Sequence, residues 1–189
     1  MTDAAFGPTA LATPANYVTI ARLLLSPLLF VMITDSGPSW AVLALWVALC
    51  LTDGIDGFLA RRHGTTRSGA FLDPLADKML VMGALIALVA LDHFGWLPVL
   101  LIAGREVAIS MYRSYWARRG VSIPARRSAK VKTVTQQVAV GLALAPPVAD
   151  GPMWLADAVL WVAVALTLVS GAQYLHDGSR AAVPTTPTA

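Results

Sequence analysis

"LTDGIDGFLARRHGTTRSGAFLDPLADKML", residues 51–80, is the stretch whose reading decides the fold. Four carboxylates, Asp53, Asp56, Asp73 and Asp77, stand in what otherwise reads as the ends of two apolar helices joined by the turn-rich "RRHGTTRS". Asp53 and Asp56 are three residues apart and Asp73 and Asp77 four apart, so each pair shares one face of its helix. A short connection makes the two helices antiparallel neighbours, which lets all four carboxylates converge at one end of the pair. What that costs depends on what surrounds them.

The surroundings are apolar. Of 189 residues, 57% are hydrophobic and only 13% charged, against roughly a quarter charged in an ordinary soluble domain. A soluble domain of this size cannot hide so much apolar side chain, so the composition predicts an all-α, polytopic membrane protein. Spans need about 20 mostly apolar residues. Six can be marked: Tyr17–Ile33, Trp40–Ala60, Ala70–Leu91, Trp96–Trp116, Val131–Ala149 and Met153–Tyr174. The segments between them, "TDSGPS", "RRHGTTRS", "DHFG", "RRGVSIPARRS" and "PPVADGP", are rich in turn formers. Trp40, Trp96 and Trp154 open three of the spans, at the depth indole rings prefer. The expected organisation is one six-helix domain over residues 14–176, with tails at 1–13 and 177–189. The N-terminal segment lacks the basic start of a cleaved signal peptide. The lone Cys50 falls inside the second span, which excludes a disulfide framework.

Basic residues set the orientation. Arg61, Arg62 and Arg67 lie in the second connection, and Arg118, Arg119, Arg126, Arg127, Lys130 and Lys132 lie in or beside the fourth. The first, third and fifth connections carry Asp35, Asp92 and Asp150 and no Lys or Arg. Since Lys and Arg accumulate on the cytoplasmic side, both termini and the carboxylates are expected to be cytoplasmic, in the cell membrane. The net charge of +3 then reads as topology and attraction to anionic membrane lipids, not as a nucleic-acid surface.

An ionisable residue within a span costs at least about 2.5–3.5 kcal/mol at the helix centre and is a functional candidate by default. Four converging aspartates would repel one another and be driven to protonate unless something compensates them. Hard carboxylate oxygens without His or Cys select Mg²⁺, Mn²⁺ or Ca²⁺. Two divalent ions would balance four carboxylates, and a metal pair about 3.5–4 Å apart is a recurring clamp for phosphoryl displacement. Gly57 and Ala60 share the face of Asp53 and Asp56, and Gly69 precedes Asp73 by four. Small side chains there leave room for a ligand; close helix packing is the other use membranes make of them.

These residues carry a resemblance. Asp53-x-x-Asp56-Gly57-x-x-Ala60-Arg61, followed by Gly69-x-x-x-Asp73-x-x-x-Asp77, resembles the signature of the CDP-alcohol phosphatidyltransferases at all eight positions. "PANYVTIARLLLSP" resembles the family's N-terminal Asn-x-x-Thr-x-x-Arg segment. "LDPLADKML", "REVAISMYR" and "KVKTVTQ" resemble its phosphatidylglycerophosphate synthase branch, with Ala129 standing where that branch usually has Gly. The resemblance implies a six-transmembrane-helix bundle with a cytoplasm-facing cavity, two divalent cations (Mg²⁺ or Mn²⁺) and a homodimer. It implies transfer of a phosphatidyl group from CDP-diacylglycerol to an alcohol, with release of CMP. By the same resemblance Asp53, Asp56, Asp73 and Asp77 would hold the metals, and Asp77 would also be the general base. Asp56, Gly57, Ala60, Arg61 and Gly69 would bind CDP-diacylglycerol.

The acceptor site is sought among the remaining intramembrane charges. Arg105 and Glu106 lie inside the fourth span and Arg113 two turns on; Lys130 and Lys132 open the fifth. Arg and Lys in a membrane cavity read as an anion site, with Arg suited to bidentate phosphate contacts. Glu106 reads as a partner that positions one of the cations, or as half of a salt bridge serving helix assembly. Lys130 and Lys132 are two apart and cannot point the same way on a helix; Lys130 is preferred for the pocket. A phosphorylated acceptor is thus favoured, and glycerol 3-phosphate fits both the cluster and the branch. The alternatives are inositol phosphate, phosphatidylglycerol (a cardiolipin-forming acceptor) and, from a different class, a divalent-cation transporter with the aspartates as its ion site.

Overall fold

A computed structural model describes the backbone of residues 13–63, 67–119 and 127–181, and side chains at 13, 16–52, 72–116, 119 and 130–176. Within them the chain is helical: α1 (Pro14–Ser36), α2 (Trp40–His63), α3 (Arg67–Ala90), α4 (Trp96–Arg118), α5 (Arg127–Leu144), α6 (Pro146–Ala149) and α7 (Trp154–Ala181). No strand occurs among the described residues.

Local chemistry explains the ends. Thr13 caps α1, its side chain accepting the Asn16 N–H at 3.2 Å, and Pro14 follows in the first turn, where no N–H partner is needed. Gly37 closes the helix at φ 70°, donating its N–H to the Ile33 carbonyl, a backbone state that costs glycine little. The fifth expected span, 131–149, is interrupted after Leu144. Pro146 and Pro147 lack the N–H groups that would continue α5, so the chain restarts as the single turn α6. Conversely α2 runs on to His63 and α3 begins at Arg67, so Arg61, Arg62 and Arg67 belong to helix ends, not to the connection. Likewise α7 continues to Ala181, past the expected start of the tail at 177.

The chain divides into two compact units, Met1–Phe94 with Val140–Ala156, and Gly95–Ala139 with Asp157–Ala189. In the first, α1 packs against α2 and α3. Thr19 meets Asp73 and Phe30 lies on Gly83, so α1 and α3 run in the same direction. A β-carbon on Gly83 would stand 2.1 Å from the Phe30 ring, so only glycine lets the ring seat there. Trp46, Leu80, Leu85 and Leu88 are buried in this unit. In the second unit α4, α5 and α7 bury Ile102, Ile109, Leu160 and Tyr174.

Large apolar side chains also face outward: Leu24 is 73% exposed, Met111 68% and Trp154 67%. Apolar surface on this scale marks a face that meets lipid or a partner instead of water. Asn16–Ser36 and Trp154–His176 are each long and apolar enough to cross a membrane, and Trp40–Thr52 is a shorter apolar stretch. Two helices of this kind point to a membrane protein. Among the described residues, apolar length thus marks two spans where six are expected; α4 carries Arg105, Glu106 and Arg113 within it, and α5 carries Lys130 and Lys132.

Candidate active site

The four carboxylates sit on two helices that both pack against α1: Asp53 and Asp56 on α2, Asp73 and Asp77 on α3. Asp73 and Asp77 are half-buried. The side chains of Asp53, Asp56, Gly57, Ala60, Arg61 and Gly69 lie outside the described residues. Among the described residues no three His, Cys, Asp or Glu groups come together.

What faces the carboxylate helices is a stripe on α1. Asn16, Thr19, Arg22 and Ser26, three or four residues apart, are all buried, and Leu29 and Ile33 continue the same line. The buried face of α1 is therefore polar in its first half and apolar in its second. Thr19 donates its hydroxyl to Asp73 Oδ1 at 2.7 Å. Arg22, 1% exposed, donates from Nε to Thr52 Oγ1 at 3.2 Å, and Thr52 is the residue before Asp53. A guanidinium this deeply buried is costly unless opposite charge is near, and α1 brings it to the carboxylate-bearing end of α2. Sequence reading had matched Asn16, Thr19 and Arg22 to a motif without a role. Their three-residue spacing in an apolar helix was the available signal.

The donor set suits a hard divalent cation. Asp73 contributes a carboxylate already hydrogen-bonded on one oxygen, as ligating carboxylates commonly are, and all four candidate ligands on α2 and α3 are oxygen donors.

In the second unit three charged residues of α4 and α5, Arg105, Glu106 and Lys132, form a connected cluster. Glu106 Oε1 accepts from Arg105 Nη1 at 2.9 Å and from Lys132 Nζ. Arg105 Nη2 donates to Ser170 Oγ on α7 at 2.9 Å. Gln136 Nε2 donates to Thr167 Oγ1 at 3.1 Å, extending the polar core by one layer. The side chains of Arg105, Glu106 and Lys132 are 9%, 14% and 7% exposed. Among the described residues the ion pairs of this cluster join two cations to one carboxylate. The buried Arg105 Nε has no hydrogen-bond partner among the described residues. It lies against Gly171, where a β-carbon would come within 3.3 Å.

The five residues singled out on α4 and α5 therefore separate. Arg105, Glu106 and Lys132 are brought together, whereas Lys130 is exposed. The sequence-based preference for Lys130 is reversed: the two-residue spacing puts one lysine inward, and it is Lys132. Arg113 is exposed and stands over the Tyr174 ring at 5.8 Å, away from Glu106 by almost two turns. Glu106 is salt-bridged to Arg105 and Lys132, a geometry common to both readings of it. Ser170, Gln136 and Thr167 were not foreseen; single hydroxyls and amides in apolar runs carry little local signal.

Residues 12–169 match the CDP-alcohol phosphatidyltransferase family. The chain is 37% identical over 179 residues to a probable phosphatidylglycerophosphate synthase of Mycobacterium tuberculosis, covering 89% of this chain and 83% of that one. It is 38% identical over 171 residues to the CDP-diacylglycerol–glycerol-3-phosphate 3-phosphatidyltransferase of Pseudomonas fluorescens, covering 85% and 87%. With the protein of that name from Rickettsia felis it shares 34% over 165 residues, covering 84% and 91%.

Proposed function

The chain belongs to the CDP-alcohol phosphatidyltransferase family, and from that membership we propose that it transfers the phosphatidyl group of CDP-diacylglycerol to glycerol 3-phosphate. The products are phosphatidylglycerophosphate and CMP. The observation that carries the reading is the likeness to relatives named for this reaction along most of both chains.

The acceptor's hydroxyl oxygen attacks the phosphorus that bears the diacylglycerol. That P–O bond forms as the bridging pyrophosphate bond breaks, and CMP leaves with the electron pair. Asp77, one turn beyond Asp73 on α3, takes the hydroxyl proton as general base. Asp53, Asp56, Asp73 and Asp77 hold two divalent cations, Mg²⁺ or Mn²⁺. When bound, these neutralise charge on the pyrophosphate and polarise the phosphorus. Asp56, Gly57, Ala60, Arg61 and Gly69 lie along the CDP-diacylglycerol headgroup, where small residues let it approach the helix backbone.

A phosphorylated acceptor is favoured by the second unit's cluster. Arg105 uses two of its five N–H donors on Glu106 and Ser170. The Nε of Arg105, buried without a hydrogen-bond partner among the described residues, is suited to an anion. Lys132 reinforces the charge, while Lys130 and Arg113, both exposed, supply it from further out.

The topology that suits this chemistry has six spans, formed by the six long helices, with both termini and the carboxylates cytoplasmic. Trp40, Trp96 and Trp154, all exposed at the starts of α2, α4 and α7, then line the opposite interface. A homodimer completes the assembly. The test supplies purified protein with CDP-diacylglycerol and glycerol 3-phosphate, inositol phosphate or phosphatidylglycerol, and identifies the lipid product by mass. Preference for either of the other acceptors overturns the assignment of glycerol 3-phosphate.

A further inference from the structure

Hydroxyls on these helices have a usual partner. Those of Ser26, Thr34, Thr52, Ser110 and Thr135 donate to a carbonyl three or four residues back on their own helix. Such bonds keep the hydroxyl proton within its own helix. The hydroxyl of Thr19 reaches across to another helix instead, meeting Asp73 Oδ1 at 2.7 Å from a side chain with 0% exposure. A hydroxyl donating to an ionised carboxylate makes one of the stronger hydrogen bonds available to a protein, and the more so away from water. It also fixes which oxygen of Asp73 is committed and leaves the carboxylate's remaining lone pairs available.

We propose that Thr19 is a positioning residue for the divalent-cation site, its hydroxyl holding the Asp73 carboxylate oriented for the metal. This rests on the reading that Asp73 ligates a cation. Packing alone does not require the hydroxyl: valine has the same shape as threonine and would fill the same buried slot between α1 and α3. The neighbouring contact runs in parallel, since Arg22, one turn on, binds Thr52 beside Asp53. α1 is thus joined to both carboxylate-bearing helices, and among the described residues Thr19 touches one of the proposed ligands directly.

The experiment measures Mn²⁺ binding to the purified full-length protein by the loss of the free Mn²⁺ electron paramagnetic resonance signal, without lipid substrate. Thr19→Val, Thr19→Ser and Asp73→Asn are compared with the parent, and each is melted in EDTA. Removing a group that orients a metal ligand typically costs about 10- to 100-fold in metal affinity. Thr19→Val is expected to weaken Mn²⁺ binding on that scale while still melting cooperatively in EDTA at a somewhat lower temperature, the cost of one hydrogen bond to a carboxylate, and Thr19→Ser to restore Mn²⁺ binding. Mn²⁺ affinity in Thr19→Val equal to the parent's overturns the proposal while leaving the metal reading intact. Absence of Mn²⁺ binding in the parent itself overturns both. If Thr19→Val and Thr19→Ser both fail to fold, the residue is needed for packing and the positioning role is rejected.

Discussion

Replacing Arg105 separates substrate binding from helix assembly more sharply than any other single change. In Arg105→Ala, Glu106 loses one of its two cationic partners but keeps Lys132. The large penalty of about 3–5 kcal/mol for a buried charge stripped of its partner is therefore not expected. The cluster loses one positive charge, Ser170 loses a donor but keeps its own bond to the Thr167 carbonyl, and a cavity opens beside Gly171. Stability should fall by about 1–3 kcal/mol, the ordinary range for a lost hydrogen bond or a core truncation. Acceptor binding should suffer more specifically. A hydrogen bond to a charged group contributes roughly 1.5–3 kcal/mol, and each 1.36 kcal/mol is tenfold. The KM for glycerol 3-phosphate should rise by about 10- to 150-fold while that for CDP-diacylglycerol hardly moves. Arg105→Lys sharpens the test, because it keeps the charge that Glu106 needs but loses the planar fork that grips a phosphate. It should fold like the parent and still bind the acceptor poorly. Steady-state titration of each substrate against both variants, with melting curves alongside, reads all of this. If Arg105→Lys restores the acceptor KM in full, or if both substrates weaken equally in Arg105→Ala, the cluster serves assembly and the acceptor assignment is wrong.

Chelation with excess EDTA should abolish turnover and added Mg²⁺ or Mn²⁺ should restore it; full activity in EDTA would remove the metals from the mechanism. Asp77→Asn should lower kcat by about 10²- to 10⁴-fold, the usual contribution of a general base, with CDP-diacylglycerol still bound. Loss of lipid-nucleotide binding at an undiminished kcat would make Asp77 a ligand only. Gly83→Ala should destabilise the fold by about 1–3 kcal/mol, because its methyl would overlap the Phe30 ring; Phe30→Leu in the same chain should recover part of the loss, and an unaltered melting temperature in the single variant would refute the contact. Lys132→Gln should raise the acceptor KM and lower stability together, whereas Lys130→Gln, at an exposed position, should stay within about 0.5 kcal/mol of the parent in stability; equal effects would contradict the inward placement of Lys132.

Much of the protein was legible without coordinates, wherever the information was local. Membrane class follows from composition, and the spacing of Asp53, Asp56, Asp73 and Asp77 on two helices follows from helical period alone. The eight-position signature leads to the family, which the comparisons establish over residues 12–169. Helix ends were less accurate. The break at Pro146 and the continuation of α2 through Arg61 and Arg62 depend on chemistry at single residues, which a hydrophobicity window averages away.

Tertiary structure decided what period cannot: which face of each helix meets which neighbour. Lys130 and Lys132 are equally charged and two residues apart, and only the packing of α5 turns Lys132 onto Glu106 and leaves Lys130 outside. The same holds for α1, where Thr19 and Arg22 read as polar interruptions of an apolar run. Thr19 meets a carboxylate 54 residues away in the chain. A contact across that distance in the chain exists only once α1 and α3 lie side by side, and no local pattern in either helix encodes it.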